Sequence, residues 1–128
     1  MSILEHEVTL IGTKGKVRCR ALFDSGASYS IVRREIAERI GRIEPFPNPE
    51  DWIFETARAG DYVHAAGNLI LEFCFDDSEA RFSDEFVVFD DLSEELIVGD
   101  KTMQAWKITL DFAEERVNYR KTAQRLRV

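Results

Sequence analysis

The segment Asp24-Ser25-Gly26-Ala27-Ser28 holds the residue types of this chain that are best suited to chemistry. It follows the apolar run Ala21-Leu22-Phe23, so the Asp24 carboxyl is expected at the end of a β-strand. A carboxyl group held there can accept or donate a proton. The Ser25 hydroxyl can bond to the backbone of its own loop or of a facing one, and Gly26 permits a tight turn and the close approach of another backbone.

This combination of residues occurs once in the 128-residue chain. The other acidic residues beside serine, in Asp77-Ser78 and Ser83-Asp84-Glu85, lack the glycine and the apolar lead-in. Chemistry that uses two such carboxyls therefore needs a second copy of the chain. Two facing carboxylates repel each other, so the pair would hold one proton and work as an acid and a base at once.

Two further segments follow in an order that matches a known family. Leu96-Ile97-Val98-Gly99 is an aliphatic element that ends in glycine, and Trp106-Lys107-Ile108-Thr109-Leu110-Asp111-Phe112 is typical of a strand after a short helix. Together with the Asp24 loop, they make the chain from about Val8 to Tyr119 resemble the retropepsins. These are the single-domain homodimeric aspartic peptidases of retroviruses and their cellular and prokaryotic relatives.

The resemblance implies a mainly β fold, a closed, barrel-like retropepsin (acid protease) fold with two short helices and one lobe per chain. Residues 1–128 would form a single domain of this kind, in which 120–128 are a basic C-terminal tail. The site residues it implies are the catalytic Asp24, its loop support Ser25, Gly26 and Ala27, the flap residues Ala59, Gly60 and Asp61, and the bracing loop Ile97, Val98 and Gly99.

The activity that the resemblance implies is aspartic endopeptidase activity by a homodimer, in which each chain contributes one Asp24. The two carboxyls would hold a water that hydrolyses a peptide bond without a covalent intermediate, and no cofactor or metal is expected. An extended peptide or protein substrate would lie beneath the flaps, with side chains in pockets lined by Ile31, Val32 and Ile97.

Other interpretations stay open at this point. Asp-Ser-Gly is also a common polar turn after a strand. A non-catalytic homodimeric peptide-binding or interaction module could keep the same fold and cleave nothing. A monomer would leave Asp24 without a second carboxyl, and would then be inactive.

Composition and charge favour a compact domain and exclude several partner classes. The chain is 45% hydrophobic and 32% charged, as ordinary globular domains are. Its formal net charge of −7 argues against a nucleic-acid partner, because phosphate binding depends on clustered Lys and Arg. Apolar runs are too short for a membrane span and the start lacks a secretory signal, so no membrane partner and a cytoplasmic location are expected.

The cysteines and histidines have no spacing typical of a metal site. Cys19 and Cys74 lie inside alternating apolar runs, which favours two buried thiols over a disulfide. His6 and His64 share no ligand spacing with them. No nucleophile elbow surrounds Ser25, which argues against a serine hydrolase.

The first half of the chain predicts a hairpin and a helix. Val8–Ile11 and Val17–Phe23 flank a turn with two glycines, and the second arm leads into Asp24. Residues Arg33 to Ile40 predict a short helix that ends at Gly41, with Glu35 and Arg39 as an i,i+4 ion pair.

The second half predicts mainly strands. Two arms, Ile53–Arg58 and Tyr62–Phe75, would form the flap hairpin, and Gly67 would mark the passage of the returning arm into the sheet. The later elements are predicted as a strand at Ala80–Phe89, an acidic loop at 90–95, a helix at Lys101–Ala105 and a last strand at Arg116–Tyr119. The basic tail would be solvated or contact an acidic face of its own or a neighbouring subunit. Interlaced chain ends, as in retroviral members, would make residues 1–4 and this tail interfacial.

Overall fold

A computed structural model of the chain describes residues 3–55 and 60–125. It begins with the predicted hairpin, whose strands β1 (Ile3–Gly12) and β2 (Gly15–Asp24) are longer than expected and pair antiparallel throughout. Asp24 is the last residue of β2, as the sequence predicted. Ala59, one of the predicted flap residues, lies outside the described residues.

The remaining elements are shorter than these two strands. In chain order they are β3 (Ile31–Arg33), α1 (Arg34–Ile40), a 3₁₀ turn (Pro49–Asp51), β4 (Ile53–Glu55), β5 (Tyr62–His64), β6 (Gly67–Cys74), β7 (Phe82–Phe89), β8 (Leu96–Gly99), α2 (Asp100–Trp106), β9 (Thr109–Asp111) and β10 (Arg116–Asn118).

Six strands form a closed barrel in the order β1-β2-β8-β3-β7-β6, which β1 and β6 close. The β2–β8 and β3–β7 pairs are parallel, while β4–β5 and β9–β10 are separate two-stranded sheets. The prediction of a mainly β, closed-barrel fold with two short helices is therefore confirmed.

The barrel interior is filled by residues that alternate along the strands. On β6, Leu69, Leu71 and Phe73 are buried, whereas Ile70 between them is 73% exposed. The sequence predicts that Leu69, Leu71 and Phe73 alternate with Ile70, Glu72 and Cys74. This alternation is correct, because successive side chains of a strand point to opposite faces. Both cysteines are free thiols, with Cys19 buried and Cys74 half-buried.

The predicted flap arm Tyr62–Phe75 is divided into two strands. At this point the chain leaves one sheet and joins another: the Ala65 N–H donates to Trp52 O at 3.2 Å, and the Ala66 N–H donates to Val88 O at 2.8 Å. Gly67 is the first residue of β6, as expected for the passage into the barrel.

Three local predictions are corrected. The i,i+4 ion pair on α1 joins Arg34 and Glu38 at 3.6 Å, and no Glu35–Arg39 pair occurs among the ion pairs of the described residues. Helix α2 continues through Trp106, whose indole N–H donates to Ser83 O at 2.8 Å, so the following strand is only Thr109–Asp111.

The first and last described segments contact the rest of the same chain. Leu4 belongs to the core, and Ile3 is 40% exposed. The Glu79 N–H donates to Lys121 O at 2.9 Å, and the Lys121 ammonium pairs with the Asp77 carboxylate at 2.7 Å. Lys121 of the basic tail therefore contacts an acidic segment of the same subunit. Within residues 3–55 and 60–125, no helix is long and apolar enough to cross a membrane.

Candidate active site

Asp24 ends β2 beside the glycine of the bracing loop. It is half-buried, and its carboxylate accepts the Gly26 N–H at 2.8 Å, while its carbonyl accepts the Ala27 N–H at 3.1 Å. In the parallel β2–β8 ladder, Asp24 is in register with Gly99. The two N–H bonds fold the loop after Asp24 back on its carboxyl and carbonyl groups and orient the carboxyl. Ser25, next in the chain, is exposed.

Gly99 packs directly on the backbone of the Asp24 loop. A Cβ atom at this position would lie 2.5 Å from Tyr29 O and 2.8 Å from Ala27 O, so any side chain would force the two segments apart. The contact continues along the chain, since the Asp100 N–H donates to Ala27 O at 2.7 Å. The two loops are therefore in direct backbone contact; the bracing role that the resemblance implies for Gly99 stays a prediction.

The other residues of the bracing loop face different ways. Val98 is buried in the core, whereas Ile97 is half-buried and faces the candidate site. Val32, which the sequence predicted as a pocket residue, is fully buried in the core instead. Its neighbour Ile31 lines the site, because adjacent residues of a strand point to opposite faces.

The β4–β5 hairpin occupies the predicted place of the flap. Phe54 is in register with Val63, and Gly60 at the turn has φ +81, a left-handed conformation that favours glycine. The Gly60 N–H donates to the Glu55 carboxylate at 3.2 Å. Asp61, the third predicted flap residue, is exposed.

An aromatic cluster connects this hairpin to the barrel. Trp52 stacks on Phe46 with ring centroids 4.2 Å apart, and Phe54 meets Phe89 of β7 at 5.3 Å. Tyr29, from the Asp24 loop, contacts the Phe54 ring edge-on at 5.7 Å. The loop that carries the candidate catalytic carboxyl therefore also supports the hairpin.

Between the Asp24 loop and the hairpin lies a cavity of about 750 Å³. The loop, the hairpin and the acidic segment after β7 line it, together with one residue each from β3, β7 and β8. The lining residues are Gly26, Ala27, Ser28, Tyr29, Ile31, Phe54, Glu55, Val63, His64, Phe89, Asp90, Asp91, Leu92, Ser93, Glu94 and Ile97. A volume of this size suits several side chains of a bound peptide.

The cavity wall carries more negative than positive charge. Glu55, Asp90, Asp91 and Glu94 line it, and no Lys or Arg of the described residues does. The Asp90 carboxylate forms an ion pair with Arg34, outside the lining. The structure thus makes the acidic loop at 90–95, predicted only as a connection, into one wall of the cavity.

The residues of the described ranges form no cluster of three or more potential metal ligands. Sequence reasoning missed two buried polar residues, Ser30 and Thr102, because it followed apolar periodicity. The Ser30 hydroxyl accepts the Gly99 N–H at 3.0 Å. The only sequence signal was that each precedes an apolar residue, Ser30 before Ile31 and Thr102 before Met103.

The comparisons with known proteins agree with this architecture. No protein-family model and no curated protein matches the chain. Among solved structures, the chain is similar to the crystal structure of the retroviral protease-like domain of Ddi1 from Leishmania major. The TM-score is 0.66 at 19% sequence identity, and the match covers 93% of this chain and 89% of that chain. The chain has a retropepsin-like fold. At this identity the likeness concerns the fold alone, since one fold can host different functions.

Proposed function

We propose that the chain is an aspartic endopeptidase that works as a homodimer, with Asp24 of each copy forming the catalytic pair. The observation that carries this proposal is the position of the Asp24 loop. It lines one wall of a 750 Å³ cavity, and the β4–β5 hairpin lines another. Asp24 itself is not among the lining residues, but the loop that directly follows it is. A carboxyl at the base of such a loop, on a retropepsin-like fold, suits this hydrolysis.

One chain supplies only half of the acid–base pair. In the dimer, a water lies between the two Asp24 carboxyls, of which one is ionised and the other protonated. The ionised carboxylate takes a proton from the water, the water oxygen attacks the peptide carbonyl carbon, and the protonated carboxyl gives its proton to the carbonyl oxygen. In the second step, the carboxyl that took the water proton gives it to the amide nitrogen, and the other, now ionised, carboxylate takes a proton from a diol hydroxyl. The C–N bond then breaks, a carboxylic acid and a neutral amine form, and the pair again holds one proton. The Gly26 N–H holds the carboxylate in place throughout.

The substrate is an extended peptide held between the hairpin and the Asp24 loop. Short strands such as β4 and β5 offer backbone groups to a strand-like ligand, while alternate side chains of the ligand enter pockets. Ile31, Ile97 and Phe54 provide apolar walls for such side chains. Closure of the hairpin over the peptide would keep bulk water away from the reacting bond.

Peptide cleavage by wild type and Asp24→Asn tests the proposal. Both proteins are incubated with a proteome-derived peptide library at acidic and neutral pH, and light scattering over a concentration series gives their oligomeric states. Asp24→Asn keeps the shape of the side chain but cannot act as an ionisable acid or base, so cleavage is expected to disappear while the dimer remains. Asp51→Asn, on the 3₁₀ turn outside the cavity lining, is the matched control and should cleave like wild type.

Equal cleavage by wild type and Asp24→Asn would contradict the proposal. If wild type and Asp24→Asn both bind peptides as dimers and neither cleaves them, the non-catalytic peptide-binding module is the correct interpretation. A strictly monomeric chain would exclude both.

A further inference from the structure

The described part of the chain has two polar side chains that are almost completely buried, and they contact each other. Ser30, just before β3, is 2% exposed, and Thr102 on α2 is 1% exposed. Their hydroxyl oxygens are 2.5 Å apart. Buried hydroxyls are costly unless each is hydrogen-bonded, so this contact calls for partners on both sides.

Those partners extend the pair into a chain of hydrogen bonds from β7 to Gly99. The Thr102 hydroxyl donates to the Asp84 carboxylate at 2.6 Å, and the Ser30 hydroxyl accepts the Gly99 N–H at 3.0 Å. Thr102 has one hydroxyl hydrogen, and it is used on Asp84, so the Ser30 hydroxyl must donate to Thr102. Every bond in the chain therefore has a defined direction.

Both ends of this hydrogen-bond chain are fixed. The other Asp84 carboxylate oxygen accepts the Glu85 N–H at 2.8 Å, which sets the orientation of that carboxylate. At the other end is Gly99, in register with Asp24 and packed on the carbonyls of Ala27 and Tyr29. A displacement of Gly99 would consequently shift the loop that carries Asp24.

We propose that Ser30, Thr102 and Asp84 are positioning residues that hold Gly99, and through it the Asp24 loop, in the geometry that catalysis needs. None of the three lines the cavity, so they act through the backbone and not on the substrate. The effect on catalysis rests on the proposed function, whereas the effect on Gly99 does not. The two parts can therefore be tested separately.

The test compares Thr102→Val, which keeps the shape and removes the hydroxyl, with Thr102→Ser, which keeps the hydroxyl. Amide hydrogen exchange at Gly99 is measured by NMR on the full chain, and kcat and KM are measured with a peptide that wild type cleaves. Thr109→Val, at an exposed position on β9, is the matched control.

Thr102→Val removes both hydrogen bonds of the Thr102 hydroxyl and leaves the Ser30 hydroxyl without its acceptor. The loosened Ser30 is expected to speed exchange at Gly99 by about fivefold, the size of one hydrogen bond's net contribution. The variant should lower kcat by up to about 100-fold, as misplaced catalytic groups do, and leave KM within about twofold, because substrate contacts are retained. Thr102→Ser and Thr109→Val should resemble wild type in all three quantities.

If Thr102→Val does not fold, Asp84→Ala is used instead. Asp84 is only half-buried, so its substitution removes the acceptor at the more accessible end of the hydrogen-bond chain. The proposal is overturned if the variant that folds has wild-type exchange at Gly99. It is also overturned if that variant is less stable than wild type but has the wild-type kcat. If wild type shows no Asp24-dependent cleavage, the proposed function fails. The exchange at Gly99 then decides the positioning role by itself.

Discussion

Tyr29 and Phe54 meet with ring centroids 5.7 Å apart and ring planes at 90°, which links the Asp24 loop to the hairpin above the cavity. Edge-to-face aromatic pairs of this kind stabilise folded proteins beyond the area that they bury. The loop and the hairpin are far apart in sequence, so this contact is a tertiary link between the two walls of the candidate site.

A double-mutant cycle should measure that link. The free energies of unfolding of Tyr29→Ala, Phe54→Ala and the double variant are measured in urea. The sum of the two single-variant losses of stability should exceed the loss in the double variant by about 0.5–1.5 kcal/mol. Tyr62, which is 59% exposed on β5, provides the control pair. A Tyr29–Tyr62 cycle should give no coupling, and equal coupling in both cycles would contradict a specific ring contact.

Gly99→Ala should destabilise the chain and distort the site. The new methyl group would collide with backbone oxygens of Ala27 and Tyr29 that cannot move independently, and overpacking of this kind costs about 1–3 kcal/mol. Urea unfolding measures the loss. Gly15→Ala is the control, because its Cβ would meet nothing within 4 Å. A Gly99→Ala variant as stable as Gly15→Ala would mean that the two loops are not in close contact.

The cavity charge predicts a preference for basic peptides if the chain is a peptidase. Carboxylates of Asp91 and Glu94 line the cavity, where Lys or Arg of a substrate would be attracted and Asp or Glu repelled. In matched peptides that differ by one Arg or Glu near the cleaved bond, kcat/KM should be higher for Arg, and added salt should reduce the difference. The double variant Asp91→Asn/Glu94→Gln should remove much of this preference. A preference that survives in that variant would have another source.

The buried thiol of Cys19 should make stability fall at alkaline pH. Burial, with a smaller effect of the Glu95 charge, raises the pKa of this thiol from 9.0 to about 12. The folded state therefore holds the proton more tightly than the unfolded state. This contribution is complete below about pH 9 and is lost as the pH rises toward 12.

Urea unfolding at several pH values between these limits checks this sign. Wild type should lose stability as the pH rises, and Cys19→Ala should lose less over the same interval. The control is Cys74→Ala, which replaces the half-buried cysteine and retains the Cys19 thiol. Equal losses in wild type and Cys19→Ala would assign the alkaline effect to other groups.

Much of the fold follows from local patterns in the sequence. Strand alternation correctly puts Leu71 and Phe73 on one face and Ile70 on the other, and the turn glycines correctly place the first hairpin. The contact of Gly99 with the Asp24 loop was expected from a resemblance, and the 2.5 Å approach to Tyr29 O gives it a physical reason. These features depend on residues close in sequence, or on a glycine, Gly99, whose position leaves no room for a side chain.

The features that were missed depend on contacts between distant residues. Trp52 stacks on Phe46 and accepts the Ala65 N–H at its carbonyl, which interrupts the predicted flap arm. Ser30 and Thr102 are 72 positions apart in sequence, and nothing in the local pattern of either predicts their hydrogen bond. Tertiary partners decide such cases, so neither periodicity nor turn chemistry could identify them.

Mixing wild type with Asp24→Asn tests most directly whether two copies of Asp24 form one active site. The total protein concentration is kept constant, the copies are allowed to exchange, and cleavage of one peptide is measured as the wild-type fraction is lowered. If each dimer needs both carboxyls, the rate should fall as the square of the wild-type fraction. A rate that falls in direct proportion to that fraction, or no cleavage by wild type itself, would contradict the proposed catalytic pair.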